Sequence, residues 1–376
     1  MSKAVLTGEF FLSGGAACVE GAIAAGCRFY AGYPITPSSE IAERMSRRLP
    51  QVGGHYLQME DEPGSLAAVL GASWGHCQVM TATSGPGFSL MQENLGLAVM
   101  TETPCVIVDV QRGGPSTGLP TLTSQADMMQ AKWGSHGDYE LIAYAPQSPQ
   151  EMFDLTFKAF NMAEKFRTPV LVMSDKIVSQ MVERVLIPAE KQIKRVERRR
   201  PDRAAQANGA EVLVPPMACA GEGFAIHVTG LTHDERGYPA INVETQQRLI
   251  GRLRGKILQN GAEIIEYEER DLEGARIVVV AYGSTARSAL LACRLARQRG
   301  LEVGLLRLIT VWPFPAERIK ALRAEALIVP ECNQGQMVRE VERFATCPVR
   351  PVSQAGGELL APESILKAIE EVAQIG

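Results

Sequence analysis

The first half of the chain switches repeatedly between short β-rich runs and helical stretches, and this alternation constrains the fold more than any other feature. Candidate strands fall at Cys27–Gly32, His55–Met59, Gln78–Ala82, Cys105–Val110, Glu140–Tyr144 and Pro169–Ser174. Helical patterns lie between them, for example Pro37–Arg48, Pro63–Trp74, Ser89–Met100 and Gln150–Phe166. Strand–helix repetition with continuously apolar strands implies a parallel sheet covered on both faces. Ligands on such sheets gather beyond the carboxyl ends of the strands. The segments there are Tyr33–Ser39, Glu60–Gly64, Thr83–Gly87 and Gln111–Thr121, all polar or glycine-rich. Mere turns do not account for four such loops at equivalent positions.

A length of 376 residues suggests about two domains. Lys191–Arg203 reads KQIKRVERRRPDR, the composition of a solvated linker rather than a binding patch. Irregular composition continues to Gly237, and a helical stretch at Glu244–Asn260 is expected to bridge onward. A second α/β pattern opens near Arg276 with the buried strand RIVVVAYG and a helix over Ser284–Arg299. Strand EVGLLRL, loop TVWPFP, strand ALIVP and loop ECNQG follow, and the chain closes on a helix from Pro362. The expected division is 1–190, 191–270 and 271–376.

With 46% hydrophobic and 21% charged residues, the chain has an ordinary soluble globular composition, and its net charge of -4 argues against general nucleic-acid binding. No two of the eight cysteines form a C-x-x-C pair, so no local zinc or cluster motif is written here. Most cysteines sit in apolar runs, which points to a reduced, cytoplasmic protein. The small apolar stretch Phe10–Gly26 is too short to span a bilayer, so neither a signal peptide nor a membrane segment is expected. Five dispersed histidines build no Ser-His-Asp or metal-ligand grouping. His136 and the polar run with His233, Asp234 and Arg236 are weak candidates, the latter reading as a turn. No G-x-G-x-x-G follows the first strand, which argues against a dinucleotide-binding protein.

In Thr36-Pro37-Ser38-Ser39-Glu40, Thr36 stands where an N-cap is expected and Pro37 where a helix begins. The same residues suit a helix N-terminus and hydroxyl facing an anionic ligand. Around them, GYPITPSSE, MEDEPGS, TATSGPGFSLMQENLGLA and QRGGPSTGLPTLTSQADMMQA are followed by GLTHDERG, GSTARSAL, LITVWPFP and ECNQGQM. In this order the segments resemble the α subunits of thiamin-diphosphate-dependent 2-oxoacid:ferredoxin oxidoreductases. The long QRGG segment is most similar to the 2-oxoglutarate branch. The resemblance covers nearly the whole chain, the basic linker least.

The resemblance implies an α/β fold with a pyrimidine-binding domain of the thiamin diphosphate enzymes, followed by a transketolase C-terminal-like domain. It implies CoA-dependent oxidative decarboxylation of a 2-oxoacid, with ferredoxin as acceptor, in an (αβ)2 assembly. A G-D-G…N motif for diphosphate and Mg2+ is absent, the nearest fragment being Gly137-Asp138, and so are cluster cysteines. Mg2+ and a [4Fe-4S] cluster are therefore expected on a β subunit, with thiamin diphosphate shared between the chains. The family's catalytic glutamate hydrogen-bonds N1′ of the aminopyrimidine and promotes proton removal from thiazolium C2. Glu60, Asp61 and Glu62 are adjacent and their chemistry alone does not separate them; the family's E-P-G match selects Glu62. A sheltered carboxyl suits this role, because desolvation raises its pKa. Ser84, Gly85 and Pro86 fall in the loop that packs near the pyrimidine, although the bare pattern is also an ordinary strand-to-helix turn. Arg112 and Thr121 match positions around the oxoacid, where a guanidinium can grip a carboxylate with two prongs, and Thr36 is expected to touch both substrate and cofactor. Many relatives carry Gly-Asn-Glu-Ala where this chain has Gly14-Gly15-Ala16-Ala17, so contacts from those polar side chains are lost. The alternatives are a pyruvate or branched-chain oxidoreductase α subunit, or a non-catalytic scaffold subunit; Glu62 and Arg112 argue against the scaffold.

Overall fold

The computed structural model describes residues 5–201 and 212–375. Asp202 and Arg203, which end the basic stretch, lie outside the described residues. The main sheet runs, across its width, Thr310–Trp312, Ile142–Tyr144, Pro169–Asp175, Cys105–Gly113, Gln78–Thr83, Cys27–Gly32 and His55–Gln58, with Leu119–Thr123 paired beside Cys105–Gly113. From Ile142–Tyr144 to His55–Gln58 the pairing is parallel. Cys105–Gly113 and Pro169–Asp175 are buried at every residue, as central parallel strands must be. Val106, Val108 and Val110 enter the core formed with helices Gly14–Ala25 and Pro149–Phe166. Cys105 and Ile107 enter the opposite core with Glu62–Trp74 and Gln92–Met100. That second core continues through Trp312 to Val278 and Leu327. The smaller sheet, ordered Tyr267–Arg270, Val303–Leu308, Ile277–Tyr282, Ala326–Glu331, Val349–Ser353, is thus packed onto the main sheet through shared apolar contacts.

Several expectations are corrected. TVWPFP is not simply a loop: Thr310–Trp312 forms a strand antiparallel to Ile142–Tyr144 and extends the main sheet. An antiparallel ribbon of Gly8–Ser13 with Val182–Ile187 was not expected. Ser89–Met100 divides into Gly85–Leu90 and Gln92–Met100. The basic stretch is not a solvated linker throughout. Arg198 is buried, donating to both Glu164 oxygens at 2.7 and 2.9 Å and to the Ser73 carbonyl at 2.6 Å. A charge run cannot reveal a partner distant in sequence, and Glu164 is that partner.

The connecting helix Val243–Leu258 is anchored in the same way. Buried Glu102 pairs with Lys256 at 3.0 Å and Arg252 at 2.6 Å. Among the described residues, no helix is long and apolar enough to cross a membrane.

Candidate cofactor and substrate site

Folding separates the three adjacent acids. Glu60 and Asp61 are exposed, and Asp61 caps helix Glu62–Trp74, its Oδ1 accepting from the Gly64 N–H at 2.7 Å. Glu62 is the first helical residue and is only 5% exposed. Its carboxyl lies against Gly87: a Cβ on that glycine would fall 2.8 Å from Glu62 Cδ. Burial raises the Glu62 pKa and the Asp61 charge adds to this, while its own backbone N–H and the Arg112 charge act the other way.

The facing loop begins at Thr83, where the strand Gln78–Thr83 ends. Thr83 Oγ1 and Ser84 Oγ are buried without hydrogen-bond partners. Gly85 takes a φ of +30°, which favours glycine, and Pro86 follows in the first turn of helix Gly85–Leu90. Arg112, near the end of the next strand, is buried; its Nη1 donates to the Thr36 carbonyl at 2.5 Å and its Nη2 to Thr117 at 3.3 Å. One guanidinium therefore ties the GYPITP loop to the GGPSTG loop.

Thr36 is not an N-cap. The helix spans Ser39–Arg48 with Ser38 at the cap position, and Ser38 Oγ donates to the Ile35 carbonyl at 2.8 Å. This turn moves the helix start two residues on and leaves Thr36 exposed, before a cis Thr36–Pro37 bond, with its carbonyl toward Arg112. Thr121 is exposed on Leu119–Thr123, the strand that folds back beside Arg112 and Gly113. Glu62, Ser84, Gly85, Pro86, Arg112 and the Thr36 backbone thus converge, and Thr121 stands on the flanking strand. His136 is exposed, and Asp234 shapes a turn by accepting from the Arg236 and Tyr238 N–H groups at 2.9 and 3.1 Å. His233 joins that turn through a bridge to Pro239.

Gly14 and Gly15 have a packing reason. A side chain on Gly14 would strike the Val178 carbonyl, and one on Gly15 would meet Glu40 Oε2 at 3.1 Å. Glu40 itself accepts a hydrogen bond from Ser13 Oγ.

Sequence reasoning missed the support behind Arg112. Gln111 Oε1 accepts from the Asp127 N–H at 3.1 Å, and Gln111 Nε2 donates to the Ser174 carbonyl at 3.2 Å. The ECNQG segment of the smaller sheet grips the same SQAD stretch: Asn333 Nδ2 donates to the Gln125 carbonyl at 2.7 Å and Gln336 Nε2 to the Ala126 carbonyl at 2.5 Å. Gln125 in turn donates to the Tyr282 carbonyl at 3.1 Å. Asp109 and Asp127 are also brought together here. The available signal was Asp109 itself, a carboxylate inside the apolar run CVIVDV.

Residues 20–252 match the family described as pyruvate flavodoxin/ferredoxin oxidoreductase, thiamine diphosphate-binding, and residues 275–365 match pyruvate:ferredoxin oxidoreductase core domain II. The chain belongs to this oxidoreductase family. It is 56% identical to 2-oxoglutarate synthase subunit KorA of Methanocaldococcus jannaschii, over 96% of this chain and 98% of that protein. Identity to ketoisovalerate oxidoreductase subunit VorB of Methanothermobacter marburgensis is 38%, over 96% and 97%. The solved 2-oxoglutarate:ferredoxin oxidoreductase of Magnetococcus marinus, with 2-oxoglutarate, coenzyme A and succinyl-CoA bound, superposes with a TM-score of 0.91 at 34% identity. That alignment covers 97% of this chain and 65% of the longer neighbour. A split-gene transketolase shares the fold alone, at a TM-score of 0.55 and 12% identity over 96% of each chain. The α/β fold with a thiamin-diphosphate-binding part and transketolase-like architecture is therefore established.

The residues present fit a thiamin pyrimidine. A sheltered carboxyl and two orphaned hydroxyls, on Thr83 and Ser84, border a glycine loop that admits close approach. Among the described residues no group of three or more His, Cys, Asp or Glu side chains could hold a metal ion.

Proposed function

We propose that the chain is the α subunit of a CoA-dependent 2-oxoglutarate:ferredoxin oxidoreductase, forming succinyl-CoA and CO2 and reducing ferredoxin. The observation that carries this reading is the buried Glu62 carboxyl against Gly87, with Arg112 held beside it. Whole-length similarity to the 2-oxoglutarate synthase subunit supports the substrate assignment, and the lower identity to the ketoisovalerate subunit disfavours the branched-chain alternative.

Thiamin diphosphate, when bound, supplies the electron sink for decarboxylation. Glu62 hydrogen-bonds the pyrimidine N1′ and holds a proton there, its raised pKa suiting a proton-sharing role. Ser84, Gly85 and Pro86 form the wall against the pyrimidine. Arg112 receives an oxoacid carboxylate, with Thr121 and the Thr36 loop beside it.

Partner chemistry completes the enzyme. A β subunit carries the diphosphate, Mg2+ and [4Fe-4S] sites, in an (αβ)2 assembly that passes electrons to ferredoxin. Residues 1–190 and 271–376 act as the pyrimidine-binding and transketolase C-terminal-like units, joined by 191–270. All eight cysteines are free, which suits work in the reducing cytoplasm. The test is steady-state turnover of the co-expressed α–β pair with 2-oxoglutarate, pyruvate and 2-oxoisovalerate, using a viologen acceptor. A clear preference for pyruvate or 2-oxoisovalerate overturns the substrate assignment.

A further inference from the structure

Asp109 lies in the apolar strand Cys105–Gly113 and is fully buried. Its carboxyl meets that of Asp127, brought in by the SQAD stretch. Counted as ionised groups, both Asp109 oxygens and Asp127 Oδ2 are buried without a hydrogen-bond partner. Two adjacent buried carboxylates cannot both stay charged, so one keeps a proton and donates it to the other. Burial, then the Asp127 charge and hydrogen bond, push Asp109 well above the ordinary carboxyl range, against the opposing pull of the Gly85 backbone N–H and Arg112. Burial lifts Asp127 to about 6, against the opposing pull of its Asp109 hydrogen bond and Arg112. Near neutrality the pair therefore holds one proton and one negative charge.

The pair stands directly behind the site. Gly85 is wedged between them: a Cβ there would lie 3.9 Å from Arg112 Cγ and 4.0 Å from Asp127 Oδ2. Arg112 is the cation that the pair faces. Glu62, on the neighbouring helix, feels the same cation. Asp175 ends the adjacent strand, its oxygens taken by the Val178 and Ser284 N–H groups at 3.0 and 3.1 Å. Glu331, on the smaller sheet, is taken by the Tyr282 hydroxyl, Asn333 and the Met337 and Val338 N–H groups. The groups locking Asp127 from the remaining sides, Gln111 and the Asn333–Gln336 loop, are neutral.

We propose that Asp109 and Asp127 share one proton and set the charge that Arg112 offers, so that an oxoacid carboxylate arriving at Arg112 draws a second proton onto the pair and binds more tightly as pH falls. The proposal rests on the reading of Arg112 as the carboxylate-binding residue. With one proton, the pair partly neutralises the guanidinium. With two, it is neutral and the full cationic charge faces the substrate. A ligand whose binding takes up a proton gains affinity on acidification.

The experiment measures KM for 2-oxoglutarate and kcat of the assembled α–β enzyme from pH 8 to pH 6, where the substrate stays ionised. Wild-type KM falls as pH falls, by no more than about tenfold per pH unit because one proton is involved. The two isosteric variants separate the carboxyl that takes up the second proton from the one that holds the first. Asp127→Asn leaves Asp109, whose buried carboxyl stays protonated, so KM is low throughout. Asp109→Asn keeps a donor to Asp127, which still takes up the second proton, so KM keeps the wild-type slope. A purely structural role would lower stability or kcat without separating the two pH profiles. The proposal fails if wild-type KM is flat or rises on acidification, if Asp127→Asn keeps the wild-type slope, or if Asp109→Asn loses it. Arg112→Ala separates the two layers: a raised KM with no slope supports the proposal, and a raised KM with an undiminished slope overturns the proton link alone. An unchanged KM in Arg112→Ala overturns the binding assignment and this proposal with it.

Discussion

Substituting Gly87 with alanine tests whether the position of Glu62 matters, without touching its chemistry. The added methyl would lie 2.8 Å from Glu62 Cδ and press on Thr83 Oγ1 as well. Glu62 Oε1 lies closer to that methyl than Cδ does, and ordinary van der Waals contact begins near 3.4 Å, so the carboxyl must retreat by roughly 1 Å or swing to another rotamer. Misplacing a reacting group by about 1 Å can cost about 100-fold in rate, so kcat is expected to drop about 10- to 100-fold. Overpacking at such a site typically costs about 1–3 kcal/mol, less than the stability of an ordinary domain, so the complex should still assemble. Gly71→Ala is the control: this helical glycine has nothing within 4 Å of its added methyl, and alanine suits a helix better. The assay is deuterium exchange at thiazolium C2 in the assembled enzyme, read beside steady-state turnover and a thermal melt. A folded, cofactor-loaded Gly87→Ala enzyme with wild-type exchange would refute the argument that this contact holds the activating carboxyl.

Glu62→Gln should slow the same C2 exchange while leaving assembly intact, because an amide cannot share the carboxyl proton; an unchanged rate would remove Glu62 from that role. Arg112→Ala should lower kcat/KM for 2-oxoglutarate tens-fold or more, the loss of a desolvated charged partner costing about 2–5 kcal/mol. Thr121→Ala should cost about 1 kcal/mol, as expected for one neutral hydrogen bond, and C2 exchange should stay near normal in both variants. Glu102→Gln should destabilise the chain by about 3–5 kcal/mol in denaturant titrations, because Lys256 would remain buried beside a neutral amide. Burial alone would raise Glu102, but Lys256, Arg252 and Arg167 outweigh it and hold its carboxyl at about 2. Its folded value lies below the unfolded one, so its contribution is present above about pH 4.5 and is lost as pH falls toward 2; Glu102→Gln should lack this acid-dependent component.

The main sheet was legible because its strands are apolar throughout and are separated by helix-period segments, so Cys27–Gly32 is found with the expected bounds and its neighbours within a few residues. Thr310–Trp312 was not, because three residues before a proline read as a turn, and only pairing with distant Ile142–Tyr144 makes them a strand. The ribbon strand Gly8–Ser13 was hidden for a similar reason, its partner lying at Val182–Ile187. In the site, residue types and family motifs brought out Glu62 and Arg112. Selecting Glu62 physically from its acidic neighbours needed burial, which depends on Gly87 approaching from another strand–helix turn. Thr36 was misassigned as a cap because Thr-Pro is an ordinary helix-start pair, whereas the Ser38–Ile35 hydrogen bond that delays the helix is a matter of three-dimensional closure.

The smaller sheet has a physical part in the site although it contributes none of the expected substrate residues. Its Asn333 and Gln336 hold the backbone of Gln125 and Ala126, which sets where Asp127 enters beneath Gly85. Glu331 fixes that loop in turn, accepting from Asn333 at 3.0 Å and from the two N–H groups that open helix Met337–Phe344. The Asn333 and Glu331 links are buried hydrogen bonds and the Gln336 link is partly buried, so breaking a buried one would leave an unpaired polar group. The ECNQGQM and SQAD motifs, more than two hundred residues apart, therefore act as one structural unit behind Arg112. Changes at Asn333 would reach substrate affinity through Asp127, with no contact to substrate required.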